Sequence, residues 1–356
     1  MPGQEVAVLL PVLPATGGQP EPDRYGIGRL TAAWLGGYAT NTRLAYARDL
    51  AHFLGWCQQQ RLDPLAARPA DLDLYRMELL GRADRPPTAA TLHRRLSGIS
   101  SWYRYLLANR AAPDLTGNPV AGIRRPRLDR DSSPTAGLTT AEVRALLRCA
   151  DARAAQWRGG AELPPGKRRR ALAALRDRAL LRLLADLGLR VGEALGLDVA
   201  ALSHNRGRRT VRFVGKGGRV RERPLPAAVT EALDEYLAAR AAYGGHSPAD
   251  LVGPLFATTA RGGGPAGRMD EPAAFRLVRR LARQAGLPAA GRLSPHSLRH
   301  AFATNAREIG IALEDVQDAM GHADTRTTRR YDRDRYALER DPALRLGELY
   351  TAGGGR

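Results

Sequence analysis

Lysine is almost missing from this chain: of 55 basic residues, only Lys167 and Lys216 are lysine and 53 are arginine. Cysteine is equally scarce. Cys57 and Cys149 lie far apart and neither belongs to a CxxC pair, which argues against a disulfide framework or a zinc site and suits a reducing cytoplasm. No run of about 18 apolar residues occurs, so no membrane span is expected. The most hydrophobic stretch, 179–189, is interrupted by Arg182 and Asp186 and reads as a buried helix. The first 14 residues lack a basic leader and carry Pro2, Pro11 and Pro14, a poor secretion signal. A Gly-x-x-x-x-Gly-Lys-Ser/Thr loop is absent too, so nothing in the sequence points to a nucleotide cofactor.

What is present is positive charge. The net charge is +19 with a pI near 10.9, and a basic surface of that size points to a polyanionic partner, above all nucleic acid. The charge is uneven: residues 1–113 hold 13 Arg against 9 acids, and residues 138–356 hold 38 Arg and Lys against 24 acids. A length of 356 residues, 44% of them hydrophobic, is enough to bury two cores.

The chain parses into four stretches. Residues 1–22, rich in Pro and Gly and without a period, read as a disordered N-terminus. Residues 23–113 read as an all-helical domain. Tyr46, Leu50, Phe53, Leu54 and Cys57 share one helical face behind Asn41 and Thr42 as candidate caps. Asp71–Leu80 makes a shorter helix, and Thr88 opens another through Leu92, Leu96, Ile99, Trp102, Tyr103 and Leu106. Residues 114–137, with Pro119, Pro126 and Pro134 among Arg124, Arg125, Arg127 and Arg130, read as a basic linker able to follow a phosphate backbone. The last stretch, 138–356, opens on the capping-box spacing Thr139 to Glu142. Within it, 155–170 reads as a loop containing Pro164-Pro165-Gly166, followed by a helix over 175–187. Alternation at Val211 and Phe213, a break at 215–218, and a resumption over 219–223 predict a β-hairpin. Helices are expected over 231–242, 272–284, 297–309 and 314–320.

Four clusters could carry chemistry. Arg190, in Gly188-Leu189-Arg190-Val191-Gly192-Glu193, could hold a phosphate with its planar fork of donors, or could simply be solvated and paired with Glu193. Lys216, between glycines at the hairpin tip, could be an ordinary turn residue. In a chain that writes arginine almost everywhere, however, a lysine kept there suggests a group that must release a proton, which arginine cannot do. Pro295-His296-Ser297-Leu298-Arg299-His300 sets His296 at helical distance from Arg299 and His300. A metal pair is disfavoured, because no carboxylate or cysteine stands at ligand spacing and Arg299 would repel the cation. Finally, Gly321-His322 is followed nine residues later by Tyr331, with Tyr336 and Tyr350 as competitors by composition.

Singly these clusters are weak, but their order and spacing together resemble the tyrosine recombinase, or phage integrase, family from about residue 24 onward. The resemblance implies a mainly α fold with a small β-sheet. It would be a two-domain, C-shaped DNA clamp built from a helical core-binding domain and a catalytic domain. It also implies a site-specific recombinase that cleaves and rejoins DNA through a 3′-phosphotyrosyl intermediate, without metal or cofactor. Tyr331 would be the nucleophile, Arg190 and Arg299 would clamp the scissile phosphate, and His322 would add a hydrogen bond. Lys216 would protonate the leaving 5′-oxygen, His296 would assist as proton acceptor or phosphate ligand, and Glu193 would orient its neighbours. Arg43, Arg94, Arg95, Arg124 and Arg125 are the candidate DNA contacts outside the catalytic domain. The implied partners are double-stranded DNA and three further copies of the chain, as a tetramer on two sites. Accessory DNA-bending or directionality proteins and a cytoplasmic, nucleoid-associated location go with them. A type IB topoisomerase and a DNA-binding regulator that does not cut are the alternatives.

Overall fold

In a computed structural model, residues 26–81, 86–112, 115–126, 137–157, 164–215, 218–258 and 267–321 are described. The contacts divide the chain into two compact units, Met1–Asp129 and Arg130–Arg356. The segment 1–22, expected to be disordered, lies outside the described residues.

The first unit is helical. Its helices are α1 (Gly26–Gly36), α2 (Thr40–Gln59), α3 (Pro69–Gly81) and α4 (Ala89–Ala108). The apolar face expected on α2 is there, with Leu50, Phe53, Leu54 and Cys57 buried. Burial pushes the Cys57 thiol up to about 12, so it packs as an inert hydrophobe. The N-cap, however, is Ala39, and Asn41 and Thr42 fall inside the first turn. Backbone N–H groups there have no helical partner whatever side chain stands on them, so polar spacing alone misplaces the start by two residues. On α4, Thr88 caps as expected, accepting from the Thr91 amide at 3.2 Å. Trp102 and Tyr103 are fully buried, and each satisfies its polar atom: the indole donates to Thr31 Oγ1 at 2.9 Å and the phenol to the Pro64 carbonyl at 2.6 Å. Leu115, Val120 and Ile123, from the stretch read as a linker, are buried in this same core.

The second unit opens with α5 (Thr140–Ala155), whose capping box of Thr139 and Glu142 forms as its spacing predicts. Next comes α6 (Pro165–Leu187), the spine of the unit, packed on α5 and on two later helices. It starts ten residues before the expected Leu175, so the loop expected over 155–170 is overturned at its two ends. Ala155 ends one helix, and Pro165 to Arg170 begin the next. Proline suits a first helical turn, where its missing N–H costs nothing, and the arginines behind it are good helix formers. Residues 158–163 lie outside the described residues. Along α6, Ala179, Leu180, Leu181, Leu183, Leu184 and Leu187 are all buried, each leucine contributing about 1.5–3 kcal/mol by leaving water.

Beyond α6 come the short α7 (Val191–Leu195) and an antiparallel sheet, β1 (Leu202–Asn205), β2 (Arg208–Val214) and β3 (Val220–Pro224), in the order β1-β2-β3. Val211 and Phe213 face the core, as their alternation predicted. Across the β2–β3 ladder Val211 pairs with Arg223 and Phe213 with Arg221, so two arginines stand on the core-facing side of β3. Four helices complete the described part of the unit: α8 (Ala227–Gly244), α9 (Glu271–Gln284), α10 (Pro295–Glu308) and α11 (Leu313–Met320). Among the described residues no helix is long and apolar enough to cross a membrane.

Candidate active site

Three of the sequence-selected residues meet at the end of α6. Gly188 terminates that helix in the left-handed region at φ 63°, and a Cβ on it would collide with the Phe302 ring. Glycine is therefore required twice over, by backbone conformation and by the close approach of α10. The turn it makes throws Arg190 to the head of α7. There the Arg190 amide donates to Glu193 Oε2 at 2.9 Å, and its guanidinium reaches Oε1 at 2.6 Å. Glu193 is almost fully buried, whereas the Arg190 side chain keeps one third of its surface open. That exposure leaves Arg190 able to meet a ligand while staying tethered by its carboxylate.

Arg299, in the second turn of α10, comes to the same carboxylate, its Nη1 lying 3.9 Å from Glu193 Oε2. It is 3% exposed, and it donates to the Gly188 carbonyl and the Met320 carbonyl at 2.6 Å each. One guanidinium thus joins the end of α6, the buried Glu193, and the last residue of α11. Gly321 follows at φ 63°, another left-handed helix stop, and it leads directly into His322. His322 and Tyr331 lie outside the described residues, as does Lys216. The turn that carries Lys216 is closed on both sides by described bonds, from the Gly215 amide to the Arg219 carbonyl at 2.8 Å and from the Gly218 amide to the Gly215 carbonyl at 3.2 Å.

His296 is the second residue of α10, three before Arg299. As a residue it keeps solvent-accessible surface, unlike the buried His300 one turn on, but neighbouring atoms crowd its ring. Desolvation first, and then the guanidiniums of Arg299 and Arg190, hold its pKa below the ordinary imidazole value of 6.5. It is therefore neutral near pH 7 and able to accept a proton or a hydrogen bond. The folded protein resists charging this ring, so between its lowered pKa and 6.5 the unfolded chain binds the proton more readily, and acid costs stability in that window. An NMR titration, with His296→Asn to assign the signal, should place its midpoint below 6.5 without DNA and higher when a phosphate faces the two arginines. A DNA-free midpoint at or above 6.5 would contradict this electrostatic picture.

Among the described residues no group of three or more His, Cys, Asp or Glu side chains is placed to hold a metal ion.

In the first unit the candidate DNA contacts separate by exposure. Arg124 is exposed, and Arg43 is half-buried, donating to the Tyr38 carbonyl at 3.1 Å. The half-exposed Arg94 pairs with the buried Asp49, and Ser97, one turn along the same face of α4, receives Arg125 Nη1 at 3.0 Å. Arg95 is different. Only 16% of its side chain is exposed, and it turns inward to Asp49 at 3.5 Å. Burial raises the Asp49 pKa, with Arg94 and Arg95 pulling the other way. Two residues of the site's surroundings escaped the sequence reading: Arg221 and Arg223, which bind the carbonyls at the end of α11. The signal was available, because in the predicted hairpin they fall opposite Phe213 and Val211 on the buried face.

Comparison with known proteins bears on the family and the fold. The profile of the phage integrase family matches residues 167–337, and that of the phage integrase N-terminal SAM-like domain matches residues 35–110. The tyrosine recombinase XerC of Rhodospirillum centenum is 35% identical over 330 residues, covering 90% of this chain and 86% of that protein. A crystal structure of the XerH site-specific recombinase bound to palindromic difH substrate, a post-cleavage complex, superposes with a TM-score of 0.64 at 20% identity, over 92% of this chain and 84% of that one. A lambda integrase tetramer bound to a Holliday junction gives a TM-score of 0.56 at 15% identity, over 86% and 76%. A helical SAM-like unit followed by a mainly helical unit with a three-stranded sheet, matched in order by the two family profiles, places this chain in the phage integrase family of tyrosine recombinases.

Proposed function

We propose that the chain is a site-specific recombinase that cuts and rejoins double-stranded DNA by transesterification through a 3′-phosphotyrosyl intermediate. The observation that carries this reading is the junction at Glu193: it gathers Arg190 and Arg299, and Arg299 in turn holds the Met320 carbonyl two residues before His322. Two guanidiniums fixed before substrate arrives are suited to charge that develops on a phosphate, because fixed donors need no reorganisation during the reaction.

The step balances without an external energy source. The Tyr331 phenolic oxygen forms a bond to phosphorus while the bond from phosphorus to the 5′-oxygen breaks. The phenolic proton passes to an acceptor, for which the neutral His296 is suited, and the Lys216 ammonium supplies a proton to the departing 5′-oxygen. Arg190 and Arg299 bind the non-bridging oxygens, and His322 adds a hydrogen bond. Glu193 holds the arginines in place and offsets their mutual repulsion. Because the phosphoester energy is kept in the protein–DNA bond, a 5′-hydroxyl from a partner strand reverses the step and seals a new junction. Residues 23–113 act as a core-binding domain, with Leu115, Val120 and Ile123 of the following stretch completing its core, and 138–356 act as the catalytic domain. Arg43, Arg94, Arg124 and Arg125 reach phosphates directly, while Arg95 acts from inside through Asp49. Four copies work on two DNA sites in the nucleoid, with accessory DNA-bending or directionality proteins as further partners. The difH-bound and Holliday-junction complexes of the structural relatives support DNA and a multimer in these roles.

The direct test replaces Lys216 by Arg, which keeps the charge but cannot release a proton near neutral pH. Single-turnover cleavage of ordinary DNA should slow by about 10²–10⁴-fold. A substrate with sulfur in place of the bridging 5′-oxygen, a leaving group that needs no proton, should recover most of that loss. An equal defect on both substrates would remove Lys216 as general acid.

A further inference from the structure

The last three carbonyls of α11 belong to Asp318, Ala319 and Met320, and each is taken by an arginine from elsewhere in the chain. Arg299 takes Met320. The other two go to β3: Arg221 Nη2 donates to Asp318 and, at 3.4 Å, to Ala319, and Arg223 Nη1 donates to Ala319. Both side chains start from the core-facing side of the sheet, where a charge without a partner would be costly, and both lie against aromatic rings. Arg221 stands 5.7 Å from the Phe213 ring centroid, and Arg223 stands 6.0 Å from that of Phe302. Desolvation, and then the neighbouring Arg221, push the Arg223 pKa down. Two like charges held together this way must be offset, and the negative end of α11 does it. Gly321 completes the fit, because a Cβ there would collide with the Arg221 guanidinium.

The two segments joined by this bracket flank two of the three catalytic positions that lie outside the described residues. Strand β3 is one arm of the hairpin whose turn holds Lys216, and the end of α11 leads through Gly321 to His322. We propose that Arg221, assisted by Arg223, is a positioning residue that locks the lysine hairpin onto the end of α11, so that general acid and phosphate-binding histidine reach the scissile phosphate as one unit. Neither arginine touches substrate in this role; each acts through another group. The inference rests on the general-acid reading of Lys216 given above.

The test uses the full chain and single-turnover formation of the covalent adduct on two nicked DNA substrates, one with the normal bridging 5′-oxygen and one with sulfur there. Arg221→Ala should lose about 10²-fold on the oxygen substrate, the scale of a misplaced catalytic group, and recover to within about tenfold of the parent on sulfur. Arg223→Ala should show the same pattern more weakly. Combined with Lys216→Ala, Arg221→Ala should cost much less on the oxygen substrate than it does alone, since the general acid is already gone and only the placement of the histidine is left to lose. A merely structural role predicts an equal loss on both substrates, additivity with Lys216→Ala, and a melting temperature that falls in step with activity; that outcome overturns the bracket. The Lys216→Ala control separates the two failures. If sulfur rescues Lys216→Ala but not Arg221→Ala, the bracket is wrong and the general acid stands. If sulfur rescues neither, the general-acid assignment fails and the bracket falls with it.

Discussion

Replacing Arg299 by Ala should lower cleavage by about 10²–10³-fold, the effect of removing one fixed donor from a developing oxyanion, and should also destabilise the protein. The double effect follows from where this side chain sits. It is 3% exposed, its two terminal nitrogens bind the Gly188 and Met320 carbonyls, and it stands beside the buried Glu193. Removing it leaves two carbonyls without that donor and weakens the compensation of a buried carboxylate, a loss of about 3–5 kcal/mol. Arg299→Lys should fall between, since an ammonium is a single point charge and cannot span both carbonyls as the planar fork does. Arg190→Ala supplies the contrast: it also takes the 2.6 Å bond from the buried Glu193, but with one third of its side chain already in solvent it should cut activity comparably while changing stability less than Arg299→Ala does. Adduct formation under single-turnover conditions and denaturant unfolding of the same preparations check both halves. Equal stability losses for the two variants would mean that Arg299 does not hold the α6–α11 junction.

Tyr331→Phe should leave DNA affinity within about twofold and abolish the covalent intermediate, a loss of about 10⁴-fold or more for removing the nucleophile. Deleting one hydroxyl takes away the attacking atom but no phosphate contact, so binding and chemistry separate cleanly. Gel shift on the intact DNA site and adduct trapping on a nicked one read the two quantities. Full adduct formation by this variant would transfer the role to Tyr336 or Tyr350.

Much of this architecture was legible in the sequence, and the failures share a physical cause. The β2–β3 hairpin could be read because Val211 and Phe213 alternate and glycines mark the turn; the capping box at Thr139 could be read because its spacing is local. Strand β1 could not. Leu202-Ser203-His204-Asn205 has no apolar alternation, and it is a strand because β2 offers it an edge, with Ser203 and Thr210 hydroxyls 2.9 Å apart across the ladder. The start of α6 was hidden because prolines at 164 and 165 read as loop when the sequence is taken alone, yet serve as a helix start once the leucines behind them are buried. For the candidate site, Arg190, Glu193, His296 and Arg299 were selected by motif order, and the structure brings Arg190 and Arg299 to one carboxylate across more than a hundred residues of chain. What motif order cannot express is where a side chain spends its charge. Arg94 and Arg95 look equivalent in sequence, but one stays half-exposed and the other turns inward. Arg221 and Arg223 resemble any basic strand until the register places them beneath the helix end they bind.

In the proposed reaction one phenol and a fixed set of cations do the work that other phosphoryl-transfer enzymes assign to a metal. Trapping the protein on a nicked DNA site in the presence of a chelator, and identifying the modified residue by mass spectrometry, tests this. The adduct is expected to form at an undiminished rate in chelator, with the DNA 3′-phosphate on Tyr331. An adduct on any other residue, or cleavage that appears only when a divalent metal is restored, would contradict it.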